Sequence, residues 1–209
     1  QPPVDARERY TLAAWLSAHL AFQVAEWHEI AQWYGFESVR GFSEGVSAFS
    51  PEDLYSNLAG ARLAASLIVG GQTKTQEMYN TAMETALRQA LTQLAAQPAQ
   101  ITRFQFDMLD GRWWNSQRRV PEKYLVLHRN YQMGDDRLPT AIPGEIMPLL
   151  PLSLPHRWRG IQLSTLAQLQ LWPSEDMAQL PPPAHYYSEK DFAALAEQAR
   201  LQDEKTQNH

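Results

Sequence analysis

The chain has 209 residues, 44% hydrophobic and 20% charged, enough to bury a core as one domain with or without a tail. Its formal charge of -5, with the basic residues scattered, argues against nonspecific nucleic-acid binding, and the absence of cysteine excludes a disulfide scaffold and a cysteine nucleophile. No stretch is apolar for long enough to read as a membrane-spanning helix.

A polar lead from Pro2 to Arg9 enters the first helix at about Asp5. From Tyr10 to Ala25 there is no charged residue, and Leu12, Trp15, Leu16, Leu20, Phe22 and Val24 point in nearly every direction around the wheel, which predicts a central helix buried on most sides. Glu26, His28 and Glu29 then arrive before Trp33, Tyr34 and Gly35, the last a natural left-handed stop. Helical spacing brings His19, Gln23, Glu26 and Trp33 within an arc of roughly 80°, with Glu29 about 60° beyond Glu26 and His28 nearly opposite His19. Glu26 and Glu29 can therefore share a cleft, with His19 deeper, and the three could hold a divalent metal together with a loop acid. The zinc-protease pattern His-Glu-x-x-His is broken by Gln32 at the second histidine position. The plainer alternative is that these acids pair with basic residues and the histidines are satisfied at the rim of the core.

The glycines of the turn Gly41 to Phe49 predict a tight excursion that brings Glu44 toward the cleft beside Glu29 as a second acid. Ser50, Pro51 and Asp53 read as the N-cap, first position and capping-box acid of a second helix, with Glu52 on the positive end of its dipole. That helix is predicted to run to about Val69 on a stripe of Leu54, Leu58, Ala61, Ala65 and Ile68, with Asn57 able to reach back to the loop and Gly70-Gly71 as the stop. Thr73 and Gln76 predict the start of a third helix, whose buried face would be Tyr79, Ala82, Met83, Ala86, Leu87, Ala90, Leu91 and Leu94.

A short helical segment is expected around Ile101, Phe104, Met108 and Leu109, followed by a turn at Asp110-Gly111. Trp113 and Trp114, close to Arg112 and Arg118, fit either a sugar-stacking or anion-binding wall or a hydrophobic plug. Alternation from Tyr124 to Arg129 suggests one short strand. Ten of the fourteen prolines lie between Pro121 and Pro183, so wrapping loops anchored by Trp158 and Trp172 are expected there. Pro181 to Pro183 form a stiff spacer, Ser188 and Asp191 cap a last helix with Phe192, Leu195 and Ala199 on its apolar side, and Asp203 onward is expected to fray. The predicted fold is mainly α, a helical core around the central helix with at most a short strand pair. Its predicted organisation is one domain over residues 1–180, then a spacer, helix and tail over 181–209.

The motif WHEIxxWYG at Trp27 to Gly35, then Glu44 and SAFSPEDLYSN from Ser47 to Asn57, resembles an uncharacterised bacterial family of exported or lipoprotein-like proteins, a domain of unknown function. His28, Glu29, Trp33, Tyr34, Glu44, Ser47, Glu52, Asp53, Tyr55 and Asn57 carry the resemblance, with Gly111 to Trp114 and His128 to Tyr131 further along. It implies no activity. It does imply the bacterial cell envelope, periplasmic or lipid-anchored through a removed N-terminal segment. His128 stands where a second arginine would be expected beside Arg129, a departure that weakens a double-arginine anion site.

Three functions stay open on these residues. The first is a hydrolase acting on a cell-wall glycan, with Glu29 as acid, Glu44 as base and His28 beside them. Glu26, Trp33, Tyr34, Glu52, Asp53, Asn57, Trp113, Trp114 and Arg129 would then bind the glycan or another small molecule. The second is a metal site built from His19 or His28 with Glu26, Glu29 and a loop acid, used for hydrolysis, as a metal-dependent hydrolase, or for structure. The third is a non-catalytic envelope protein in which the same cluster is a buried hydrogen-bond network, distinguished by every acid having a fixed partner.

Overall fold

Helices dominate the described residues, which in this computed structural model are 3–118, 126–146, 148–172, 177 and 179–207. In chain order they are α1 (Ala6–Trp33), α2 (Asp53–Val69), α3 (Gln76–Gln93), α4 (Ala99–Leu109) and α5 (Glu189–Gln207). One antiparallel pair, β1 (Arg157–Trp158) and β2 (Ile161–Gln162), is the only sheet among the described residues, so the fold is mainly α. Its register pairs Arg157 with Gln162 and Trp158 with Ile161. The two-residue turn between them, Arg159 and Gly160, has φ of +47° and +80°, the doubly left-handed turn that matches strand twist. The strand expected from Tyr124 to Arg129 lies partly outside the described residues. Its described end, Val126 to Arg129, is loop with a bend at Leu127 and His128, and the Val126 amide donates to the Val46 carbonyl at 2.8 Å.

The helix ends follow local chemistry. Asp5 Oδ1 accepts from the Glu8 amide at 2.9 Å and caps α1. Gly35, at φ +97°, closes it, with the Phe36 amide returning to the Ala31 carbonyl at 2.8 Å. Gly71, at φ +73°, does the same for α2. The cap of α3 is Thr75, whose side chain accepts from the Met78 amide at 3.1 Å, two residues later than the expected Thr73. The Thr73 hydroxyl instead meets that of Tyr10 at 3.3 Å.

The chain divides into two compact units, each assembled from separated stretches. The first comprises Gln1–Phe22, Tyr55–Gln97 and Asp135–Gln168, and the second Gln23–Leu54, Pro98–Gly134 and Leu169–His209. In the first, the buried residues include Ala14, Ala18 and Phe22 of α1, Leu58 and Ala65 of α2, and Leu154 and Leu163. In the second, Ile30, Tyr34, Ala48, Phe49, Leu180, Tyr187, Phe192, Leu195, Ala196 and Ala199 make one hydrophobic cluster with Trp27 and Trp33 packed against it. Residues 181–209, expected to be spacer, helix and tail, thus supply part of this core.

Burial of α1 is narrower than expected. Up to Glu26 the buried positions, Ala14, Ala18, Phe22 and Glu26, recur every four residues, whereas Ala13, Ser17, Ala21 and Val24 are exposed; from Glu29 to Gln32 four consecutive residues are buried. In its first half the seam runs along Ala14 and Ala18, which let a neighbour approach closely, and the larger Trp15, Leu16 and Leu20 stay half-buried at its sides. In α3 the expected face has the right direction but little depth. Tyr79, Ala82, Met83, Ala86, Ala90 and Leu94 are half-buried, Leu87 and Leu91 are exposed, and none of its residues is fully buried. Trp172, expected to anchor the Pro-rich loops, is 69% exposed; among the described residues there, Leu154, Leu163 and Leu180 are the buried hydrophobic ones.

Candidate functional site

The loop from Phe36 to Pro51 is fastened to the end of α1 by carboxylates. Glu29 is 1% exposed and accepts the Phe49 amide at 2.5 Å. Phe49 itself sits at φ +58°, a left-handed conformation costly for a bulky side chain, and its carbonyl accepts from the Asn130 amide at 2.8 Å. Burial, followed by the nearby Asp53 carboxylate and the hydrogen bond the two share, pushes the Glu29 carboxyl up to about 8, so Glu29 holds a proton at neutral pH. Glu52 adds a smaller push in the same direction.

Glu26, also buried, accepts the amide of Gly134, a glycine at φ +97°. Glu44 does not lie against Glu29 in a hydrogen-bonded pair; its Oε1 accepts the Ser38 amide at 2.7 Å and its Oε2 the Gln32 side-chain amide at 3.1 Å. Bonds from Ser38 and Gln32, with a weaker contribution from His28, hold its carboxyl below the usual range. His28 is half exposed, its Nε2 4.0 Å from Glu44 and its ring edge-on to Phe36. Gln32, the residue that breaks the zinc-protease pattern, thus holds Glu44 by hydrogen bonding.

At the start of α2 the expected capping box is rearranged. Ser50 Oγ donates to Glu52 Oε1 at 2.7 Å, and α2 begins at Asp53, whose carboxylate engages Glu29. A helix-cap acid has been drawn into the buried carboxylate pair. Asn57 is exposed one turn further on.

A second hub is Asp203. It receives the Trp33 indole Nε1 at 3.1 Å and the Tyr131 hydroxyl, and lies 3.3 Å from Arg129 Nη1. Arg129, whose side chain is 9% exposed, also donates from Nη2 to the Gly45 carbonyl at 2.8 Å. Burial and the Asp203 carboxylate keep the Tyr131 hydroxyl protonated well above the ordinary tyrosine range. The tail expected to fray from Asp203 is instead helical through Gln207. Tyr34 is buried, donates to the Leu195 carbonyl at 3.1 Å and is pushed up to about 12 by that burial.

Trp113 stacks on His128 with ring centroids 5.1 Å apart, and Trp114 packs on Phe106 at 5.0 Å. The tryptophans are half-buried and occupied by each other and by these rings. A groove of about 660 Å³ along α3, lined by Leu67, Thr75, Met78, Ala82 and Ala86, holds none of the expected site residues.

His19 has a different setting from Glu26 and Glu29. In the first unit it forms a group with Asp135 and His156, whose potential ligand atoms all lie within 4.8 Å of one another. Neither Asp135 nor His156 belongs to a periodic pattern or a spaced motif, so nothing in the sequence marks them; the same holds for Asp203.

A comparison with curated proteins finds no match, and a comparison with solved structures finds none either. Over residues 1–143, more than half its length, the chain matches the family described as "Protein of unknown function (DUF4056)", and it belongs to that family.

Proposed function

We propose that the protein is a non-catalytic structural or binding protein of the bacterial envelope, in which the acids of the Glu26 to Asp53 stretch tie loops to the end of α1. One observation supports this reading: each of these acids has a fixed partner. Glu26 and Glu29 each accept a backbone amide, Glu44 accepts two donors, and Glu52 accepts a serine hydroxyl. A glycosidase would need one carboxyl open to the scissile oxygen and a second placed across the bond. Glu29 is buried instead. The envelope location rests on the resemblance alone, and cell fractionation with an antibody to the chain tests it.

A second reading, a hydrolase with Glu29 as general acid, keeps one supporting observation, the proton that Glu29 retains at neutral pH. Incubation of the chain and its Glu29→Gln variant with solubilised peptidoglycan and chitooligosaccharides separates the two. No product from either protein is expected. Product from the unmodified chain that disappears in Glu29→Gln would overturn the structural reading.

A further inference from the structure

We propose that His19, Asp135 and His156 form a binding site for a first-row transition-metal ion of the zinc type. The inference is independent of the role given to the Glu29 cluster, because all three residues belong to the first unit. They come from distant parts of the sequence, α1, the start of the Pro-rich half and the residue before β1, and the fold alone brings them together.

Two of the three ligands are oriented by backbone partners of their own. His19 Nε2 lies 2.7 Å from the Pro155 carbonyl. A carbonyl only accepts, so Nε2 carries the hydrogen and Nδ1 keeps its lone pair, the state in which imidazole binds a metal. Asp135 Oδ2 accepts the Leu154 amide at 2.8 Å, which leaves Oδ1 facing His156 Nε2 at 3.1 Å. The backbone of Leu154 and Pro155 therefore fixes two of the three ligands, and His156 follows directly in the chain. The rings of His19 and His156 have centroids 5.6 Å apart.

The dimensions and the donor set agree. Ligand atoms about 2.1 Å from a tetrahedral ion lie roughly 3.4 Å from one another. The observed atoms lie within 4.8 Å of one another, so closing on an ion takes side-chain movements of about an ångström, and His156, whose side chain is 58% exposed, has room to turn. Two imidazoles and one carboxylate suit zinc, cobalt, nickel or iron(II), while magnesium and calcium prefer oxygen ligands. The exposure of His156 leaves at least one coordination position for water.

The test uses the untagged full chain, stripped with chelator and titrated with zinc chloride by calorimetry, alongside cobalt(II) with visible spectroscopy. Expected are one zinc per chain, cobalt bands of a nitrogen- and oxygen-ligated ion, no binding of magnesium, and at least a tenfold loss of zinc affinity in His156→Ala and in Asp135→Asn. His28→Ala and His185→Ala, at two exposed histidines of the second unit, serve as controls and should bind as the unmodified chain does. His156→Ala changes an exposed side chain, so its circular dichroism should be unaltered and the comparison stays valid if His19→Ala misfolds. No stoichiometric zinc, or zinc affinity unchanged in both His156→Ala and Asp135→Asn, would overturn the site.

Discussion

Glu29 carries its proton because burial and the neighbouring Asp53 carboxylate disfavour its charged form by more than the Phe49 amide favours it. The pH dependence follows from linkage. Its carboxyl titrates at about 8 in the folded chain against an ordinary value of 4.5, so the folded state binds the extra proton between those values. Stability is fully present below pH 4.5 and is lost as pH rises toward and through 8, at up to about 1.4 kcal/mol per unit. Glutamine mimics the protonated acid, accepting from Phe49 and donating to Asp53. Glu29→Gln is therefore expected to match the unmodified chain at pH 5 and to be more stable at pH 8.5, by on the order of a few kcal/mol, in urea melts at the two pH values. A variant that is destabilised equally at both would show that the carboxyl is charged in the folded state. Glu29→Ala differs, since it strands the Phe49 amide and opens a cavity; a loss of about 2 to 4 kcal/mol at both pH values is expected from the same melts.

At the scale of elements, the stops and the cap of the last helix are legible, whereas the caps of α2 and α3 and the depth of burial are not. Gly35 and Gly71 end their helices and Ser188 accepts the box with Asp191, its amide donating at 2.8 Å, because each depends on a few neighbouring residues. The stripe of α3 has the predicted direction, yet how far it sinks depends on what the rest of the fold lays against it. Glu29 was readable as an acid on an apolar helix, but its partners were not: Asp53 read as a cap, and Glu44 as the second acid, before Gln32 and Ser38 were seen to hold it. Asp203 was the plainest failure of local reading, a lone acid in a polar tail whose value comes from Trp33, Tyr131 and Arg129, all remote in sequence. Asp203→Ala takes the acceptor from Trp33 and Tyr131 and the counter-charge from Arg129, and is expected to cost about 2 to 3 kcal/mol in chemical denaturation, whereas Glu204→Ala, on an exposed ion pair with Arg200, should change stability by less than about 0.5 kcal/mol. Equal effects would remove Asp203 from the hub.

For the whole molecule, neither unit is a continuous piece of chain. The family match ends at residue 143, but Leu154 and Leu163 are buried in the first unit and Phe192, Leu195 and Ala199 in the second. A fragment of residues 1–143 is expected to show no cooperative thermal transition by circular dichroism, and a sharp transition would mean that the later residues are dispensable for folding. Phe49 has a consequence in time as well as in space. Its left-handed backbone is held by Glu29 on one side and by the Asn130 amide on the other, and its ring packs on Tyr131, so it gains its compensation only after segments far apart in sequence have met. The turn that carries it should close after the rate-limiting barrier. In stopped-flow kinetics Phe49→Ala is then expected to leave the refolding rate nearly unchanged and to accelerate unfolding, making this turn the latch that sets how long the native state lasts.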